Sequence, residues 1–246
     1  MSGVFLIGTR AKEYRASGLA AKWPRAAPNR CGEVCYAGGV GDDSASAIIL
    51  AGGRGSRMGR PKATLRFGDR ALIERIVAEL RRMFDDIVVV AAPAAQRIEL
   101  PALGAVTIVR DETAYRGPVG ALARGLGAAR NEAAFACSCD LPMLRAEAAS
   151  FLVSRLDGYD AAIPEADGKL QPLHAAYRRR CARALDAMLA RGEHRLSAVA
   201  GAVNARIVPE ADYRRADPEA LSCFNINTPA DYARALKLAG AKAPMR

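Results

Sequence analysis

The sequence predicts an α/β domain built on a doubly wound, mostly parallel sheet flanked by helices, and three observations carry that reading. From Ala47 onward, short β-branched runs alternate with longer amphipathic stretches, the pattern of strand–helix crossovers. The central runs are apolar at successive positions, as strands covered on both faces require. A glycine-rich cationic loop, LAGGRGSRMGRPK at residues 50–62, follows the first run, where open α/β sheets gather their ligands.

The elements follow in order. AIILAGG opens the sheet. DRALIERIVAELRRMF reads as a helix with Ala71, Leu72, Ile76, Leu80 and Phe84 on one face, leaving Glu74, Arg75, Glu79 and Arg81 free to face water. DIVVVAA and AVTIVRD supply the next strands, and GPVGALARGLGAAR a small-residue helix. AAFACSCD is another buried strand and RAEAASFLVSRL another helix. The second half is more mixed. DAAIPEADGKLQPLHAAY predicts a hairpin turning at Asp-Gly, a helix follows over residues 178–190, and ARIVP is a short strand. CFNINTPADYARALKLA closes the chain with a helix capped by Thr228 or Asn227, with Pro229 at its first position.

Residues 1–46 show no sustained periodicity and are rich in Gly, Ala and Pro. They read as an extension, either a disordered leader or the product of a start codon placed too far upstream. Residues 47–240 form the expected folded domain and 241–246 a short tail.

Composition narrows the function classes. The 246 residues are 51% hydrophobic, enough to bury one sizeable core. No run reaches the ~20 apolar residues that cross a bilayer, so no membrane partner is expected. Thirty-six Lys+Arg against 26 Asp+Glu give a net charge of +10, which favours anionic ligands without choosing among nucleotides, phosphorylated metabolites, nucleic acid and acidic lipid. No RNA- or DNA-binding motif is recognised, and nucleic acid is not expected. Six cysteines without C-x-x-C spacing read as free thiols in a reducing compartment, the cytoplasm.

Glycines after the first strand let backbone N–H groups approach phosphate oxygens, while Arg54, Arg57, Arg60 and Lys62 can neutralise a triphosphate. The loop therefore reads as a polyphosphate cradle; a solvated basic loop is the plain alternative. It is no P-loop, because alanine follows Lys62, and Gly53, Gly55 and Gly59 do not make G-x-G-x-x-G.

L-A-G-G-x-x-S-R-M-G-x-x-K resembles the signature of nucleoside-triphosphate-dependent nucleotidyltransferases, whose sheet is Rossmann-like, of the nucleotide-diphospho-sugar transferase type. Later segments narrow the resemblance. RDETAYRGPVGALARGL is similar to the aspartate and G-P-[LV]-x-G-[IL] of the molybdenum cofactor guanylyltransferases, the MobA family. CSCDLPML resembles their C-D-x-P, QPLHAAY their Q-P-L-x-x-x-Y, and CFNINTPADY their N-x-N-T-P-x-D. The similarity runs from about Ala47 to Leu238.

The resemblance implies transfer of GMP from GTP to molybdenum-bound molybdopterin with release of pyrophosphate. It implies a nucleotide site of Leu50, Ala51, Gly52, Gly53, Lys62, Asp111 and Asp140, with Asp111 on the guanine nucleotide. It places Gln171 and Asn225 on the substrate, Mg2+ on Asp140 and Asn227, and catalysis on Lys62, Arg57 and Asp140. Its implied partners are molybdenum-cofactor biosynthesis proteins and apo-molybdoenzymes. The residue chemistry agrees: a carboxylate at a strand end suits a hard cation, although a structural cap or salt bridge also uses one. Asn227 can give the metal an oxygen, orient substrate or cap the last helix. His174 can reach the pterin phosphate or pack in its strand, and His194 reads as a surface loop residue.

The chain departs from the family in two places. Ala92 or Pro93 stands where an asparagine often meets the nucleotide, and Pro61-Lys62 is typical of molybdopterin cytidylyltransferases. Cytidylyl transfer and sugar-phosphate nucleotidyl transfer are therefore the alternatives, while GPVGAL and QPLHAAY favour guanine. A non-catalytic cofactor-binding chaperone is the rival from another class; retention of Lys62 together with Asp140 argues against it.

Overall fold

The computed structural model describes residues 44–52, 61–93, 99–110 and 117–240. The leader as far as residue 43, the loop with Gly53 and Arg57, the segment with Asp111 and the tail 241–246 lie outside the described residues.

The strands are β1 (Ala45–Ala51), β2 (Arg66–Phe67), β3 (Arg70–Ala71), β4 (Asp86–Ala91), β5 (Thr107–Arg110), β6 (Ala133–Ser138), β7 (Ala161–Ala166), β8 (Lys169–Leu170), β9 (His174–Arg178) and β10 (Ala205–Val208). The helices are α1 (Leu72–Leu80), α2 (Gly117–Ala128), α3 (Ala146–Val153), α4 (Cys181–Ala190), α5 (Val199–Ala202), α6 (Glu210–Tyr213) and α7 (Pro229–Leu238). The main sheet runs β10-β7-β9-β6-β1-β4-β5, with β8 paired to β7. β1 is parallel to β4 and β6, and β5 to β4, whereas β9 is antiparallel to both β6 and β7. The sheet is thus mostly parallel, with one reversed strand inserted.

Why the apolar runs form this sheet is visible in their two faces. Ala47, Ile49 and Val89 pack with Ile73, Leu80, Phe135 and Leu152, beside α1 and α3. Ile48, Leu50, Val88 and Val90 pack with Leu122, Leu126 and Leu185 of α2 and α4. Alternate side chains of one strand therefore enter two separate cores, and no polar face is left. β1 begins two residues before its apolar run because polar Ser46 is satisfied: buried, its hydroxyl donates to Asp86 at 2.6 Å. Burial pushes the Asp86 carboxyl up, but hydrogen bonds from Arg130 and Ser46 outweigh it and hold the group below the ordinary carboxylate range.

The structure corrects the sequence reading at the first helix. Gly68, with φ of +66°, turns β2 into β3, so Asp69 to Ala71 lie before α1, and Glu74 accepts the Ala71 N–H at 2.7 Å. Of the four residues expected to face water, Arg81 is exposed, while Glu74, Arg75 and Glu79 are half-buried, and all four are hydrogen-bonded. Besides Glu74, Arg75 donates to Pro142 O at 2.7 Å, Glu79 accepts from Ala146 N at 2.9 Å, and Arg81 donates to Leu103 O at 2.6 Å. Further on, Asp167 and Gly168 take φ of +51° and +68°, the left-handed pair that a two-residue hairpin turn demands. This turn joins β7 to β8, and the chain then returns as β9 to fill the space between β6 and β7.

Gly125 lets α2 seat on the sheet: a Cβ there would lie 2.5 Å from Ile48 Cγ2 and 3.1 Å from Val90 Cγ2. Overpacking of this kind costs ~1–3 kcal/mol, more than the ~1 kcal/mol that alanine gains over glycine in a helix. Gly127, on the same helix, has nothing within 4 Å of such a Cβ. Gly125→Ala is therefore expected to destabilise the domain, whereas Gly127→Ala should stabilise it by about 0.5 kcal/mol. Urea unfolding of the two variants reads the opposite signs, and equal effects would contradict this packing.

Candidate active site

Three strands end together. Parallel registers pair Ala51 with Ala91 and Leu50 with Ser138, so β1, β4 and β6 deliver their following residues to one edge. Cys139 N donates to Leu50 O at 3.1 Å, carrying the ladder one step further. Asp140 comes next, in the turn beyond β6 and not within it, with only 8% exposure.

Lys62, at the start of the 3-10 turn Lys62–Thr64, reaches this carboxylate. Its Nζ donates to Asp140 Oδ2 at 2.6 Å and to Asn227 Oδ1 at 2.7 Å. The Lys62 and Asp140 side chains are 18% and 12% exposed, so the pair is poorly screened by solvent. Ser138 Oγ donates to the remaining oxygen, Asp140 Oδ1. Two oxygens from segments 87 residues apart in sequence thus share one cation (Asp140 and Asn227).

The capping question at the last helix is settled in the same place. Thr228 Oγ1 accepts from Asp231 N at 3.1 Å, and Asp231 Oδ2 accepts from Thr228 N at 2.8 Å and Asn227 N at 3.1 Å. Thr228 is the cap, with Pro229 at the first position, a reciprocal arrangement that satisfies the helix start. The Asn227 side chain is thereby released to face Lys62. An apolar cluster beneath holds the three segments together: Phe67 and Leu72 follow Lys62, Met143 follows Asp140, and Ile226, Ala235 and Leu236 flank or follow Asn227. Two polar bonds fix the same junction, Ile226 N to Asp140 O at 3.0 Å and Tyr232 Oη to Arg66 O at 2.7 Å.

Other expected residues fall differently. Leu50 and Ala51 are 7% and 2% exposed, so what they can offer a nucleotide is backbone. Gly52, at the end of β1, is exposed. Gln171 donates to Ala166 O at 3.3 Å and Lys169 O at 3.4 Å; its amide closes the β7–β8 hairpin and is not among the groups meeting Lys62. Asn225 is half-buried, two residues before Asn227. Ala92 is buried and its carbonyl accepts from Arg110 at 3.3 Å, so its side chain offers a base no hydrogen bond. Ser138 was not anticipated; the spacing in CSCD, which sets Ser138 and Asp140 two residues apart, was the available signal.

His174 belongs to the core. Asp217 Oδ2 accepts from Ser222 N at 2.7 Å and from the Tyr213 hydroxyl at 3.4 Å, and that hydroxyl lies 2.8 Å from His174 Nε2. Since the tyrosine proton points to the carboxylate, Nε2–H donates to the tyrosine oxygen, and Nδ1 is left as a buried lone pair without partner. Burial pushes this imidazole down to about 3, so it stays neutral and does not touch the Lys62 cluster. His194 is exposed, as expected. Burial also pushes the Cys139 thiol, beside Asp140, up to about 12, which removes it as a nucleophile. A cavity of about 420 Å3 between Asp160, Arg180, Cys181 and Asn204 lies at the amino ends of β7 and β10, the opposite sheet edge, and its Arg180 is already paired with Asp160.

A family model described as the MobA-like NTP transferase domain matches residues 47–206, which include Lys62 and Asp140 and stop short of Asn227. A protein of Pelotomaculum thermopropionicum named probable molybdenum cofactor guanylyltransferase is 30% identical over 79% of this chain and 93% of its own length. One of the same name from Methanothermobacter thermautotrophicus is 34% identical over 76% and 96%. Among solved structures, the molybdopterin-guanine dinucleotide biosynthesis protein A of Archaeoglobus fulgidus has a TM-score of 0.70 and 25% identity, over 79% of this chain and 98% of that one.

The buried histidine makes stability depend on pH. Folded His174 stays neutral to about 3, while the unfolded chain takes up its proton near the ordinary 6.5, so acid favours unfolding between those values, by at most about 1.4 kcal/mol per pH unit. His174→Gln is expected to flatten this limb in unfolding free energies measured from pH 4 to 8; parallel curves for the two proteins would contradict it.

Proposed function

This chain belongs to the MobA-like NTP transferase family, and on that premise we propose that it transfers GMP from GTP to molybdenum-bound molybdopterin, releasing pyrophosphate, in molybdenum cofactor biosynthesis. The observation that carries the reading is the meeting of Lys62, Asp140 and Asn227 at the carboxyl edge of the sheet, beside the strand end that feeds the glycine loop.

The attacking group is a phosphate, ionised at neutral pH, so the enzyme needs no strong base. A pterin phosphate oxygen bonds to the α-phosphorus of GTP, and the bond from that phosphorus to the bridging oxygen breaks, its electrons leaving with pyrophosphate. What the chain must supply is position and charge neutralisation. In this reading Lys62 and Arg57 meet the triphosphate and the leaving pyrophosphate. The backbone of Leu50, Ala51, Gly52 and Gly53 approaches phosphate oxygens, Asp111 meets the guanine nucleotide, and Gln171 and Asn225 lie on the pterin side. With Gln171 committed to its hairpin, its contribution is to shape that wall.

Asp140 and Asn227 fit Mg2+: both are hard oxygen donors and both already meet one cation position. Bound there, Mg2+ withdraws negative charge from the α-phosphate. Among the described residues no cluster of three His, Cys, Asp or Glu side chains forms a metal cage, which suits an ion that takes one or two protein oxygens and completes its shell with water and phosphate. The neutral His174 takes no part. Among the described residues no helix is long and apolar enough to cross a membrane; GTP as donor and the buried free thiols of Cys137, Cys139, Cys181 and Cys223 support a cytoplasmic setting. The product is destined for apo-molybdoenzymes, directly or through other molybdenum-cofactor proteins.

Asp140→Ala is expected to abolish transfer without loss of far-ultraviolet circular dichroism. Lys62→Ala should lower kcat/KM by the equivalent of about 2 to 4 kcal/mol. Near wild-type turnover in both variants would remove this site. A pyrophosphate-release assay with molybdenum-loaded molybdopterin should consume GTP; consumption of CTP with GTP inert would overturn the choice of guanine.

A further inference from the structure

Lys62 cannot perform its proposed task from where it stands. Two of its three N–H donors are spent on Asp140 at 2.6 Å and Asn227 at 2.7 Å. An ammonium engaged between those oxygens fills the position that Mg2+ has been assigned. The two cations cannot share it, because their repulsion in a half-buried site is little screened, and the pair is only 18% and 12% exposed. Nor can the ammonium leave without cost, since Asp140 is 8% exposed and a buried carboxylate stripped of its partner is strongly unfavourable.

We propose that Lys62 is a placeholder for the divalent ion: it keeps Asp140 and Asn227 turned towards one cation position, and yields that position as an incoming triphosphate takes up the ammonium. The inference rests on the nucleotidyl-transfer reading and adds the order in which the site fills. Metal alone binds weakly, because it must expel the lysine. Triphosphate alone binds weakly, because drawing the lysine away exposes an uncompensated carboxylate. Together each removes the other's obstacle, so metal and nucleotide bind with positive linkage, equal in both directions. The arrangement around Asp140 survives the exchange, because Ser138 Oγ on the other carboxylate oxygen and Ile226 N on the Asp140 carbonyl do not involve Lys62.

Mn2+ binding to the full chain, followed by loss of the free-ion electron paramagnetic resonance signal, tests this without turnover. Lys62→Met should bind Mn2+ alone at least tenfold more tightly than the wild-type chain. A non-hydrolysable GTP analogue, corrected for its own Mn2+ chelation, should tighten Mn2+ binding in the wild type and have little further effect in Lys62→Met. Removing a charge at Arg70, as Arg70→Met, should leave Mn2+ affinity within about twofold, since solvent screens a side chain that is 58% exposed. The placeholder is overturned if Lys62→Met gains no affinity, if Arg70→Met gains as much, or if the analogue fails to tighten wild-type binding. Should those fail while GMP transfer proceeds, guanylyl transfer stands and only the exchange is lost. Should the exchange hold while no GMP is transferred, the guanylyl reading falls alone.

Discussion

A carboxylate withdrawn from water requires a cation, and at the carboxyl edge of this sheet that requirement organises everything nearby. Asp140 is held by Ser138 on one oxygen and Lys62 on the other, and Lys62 binds Asn227 as well. The elements that carry these residues are otherwise unrelated: the 3-10 turn Lys62–Thr64, a turn beyond β6, and the residue before the cap of α7. Their agreement comes from packing. The Phe67, Met143 and Ile226 cluster lies under all three segments, so apolar contact sets their approach and the charges need only point outward from it. The backbone bond from Ile226 to the Asp140 carbonyl ties the two oxygen donors to one another regardless of what cation lies between them.

Much of this was legible in the residues. Runs such as DIVVVA and AAFACS had to be central strands, because a stretch apolar on both sides can be stable only with a layer on each face. The strand pattern pointed to the cationic loop after β1 and to Asp140 at a strand end, and the family resemblance singled out Lys62 among the loop's four cations. What the sequence could not reveal were choices between chemically similar neighbours and pairings across long separations. Thr228 and Asn227 are both good caps; the bonds to Asp231 select the threonine and leave the amide for the site. Gln171 is polar and close in sequence to the substrate motif, yet the carbonyls of Ala166 and Lys169 capture it. Arg75 and Glu79 looked like solvated helix residues because nothing local shows that Pro142 and Ala146 will dock against α1.

An ionised phosphate nucleophile shifts the burden of catalysis from proton transfer to electrostatics. The described site is consistent with that. Its titratable neighbours are either cations or a carboxylate that holds one, and two groups that could act as bases are removed: burial in the core pushes His174 down to about 3, too weak to take up a proton at neutral pH, and Cys139 retains its proton. Base choice is a separate matter. Ala92 follows β4 without a polar side chain, so this position offers a base no side-chain hydrogen bond.

The reversed strand β9 has a consequence for how the molecule is made. β1, β4, β5 and β6 pair among themselves and can assemble as soon as they leave the ribosome. β7 and β10 reach the sheet only through β9, and Asn227 arrives later still, 87 residues after Asp140. A nascent polypeptide halted before that point already owns β1, β4, β6 and the lysine, but lacks one of the two oxygens. The Lys62 ammonium therefore gains its second oxygen partner only when α7 docks, and not in proportion to the length completed.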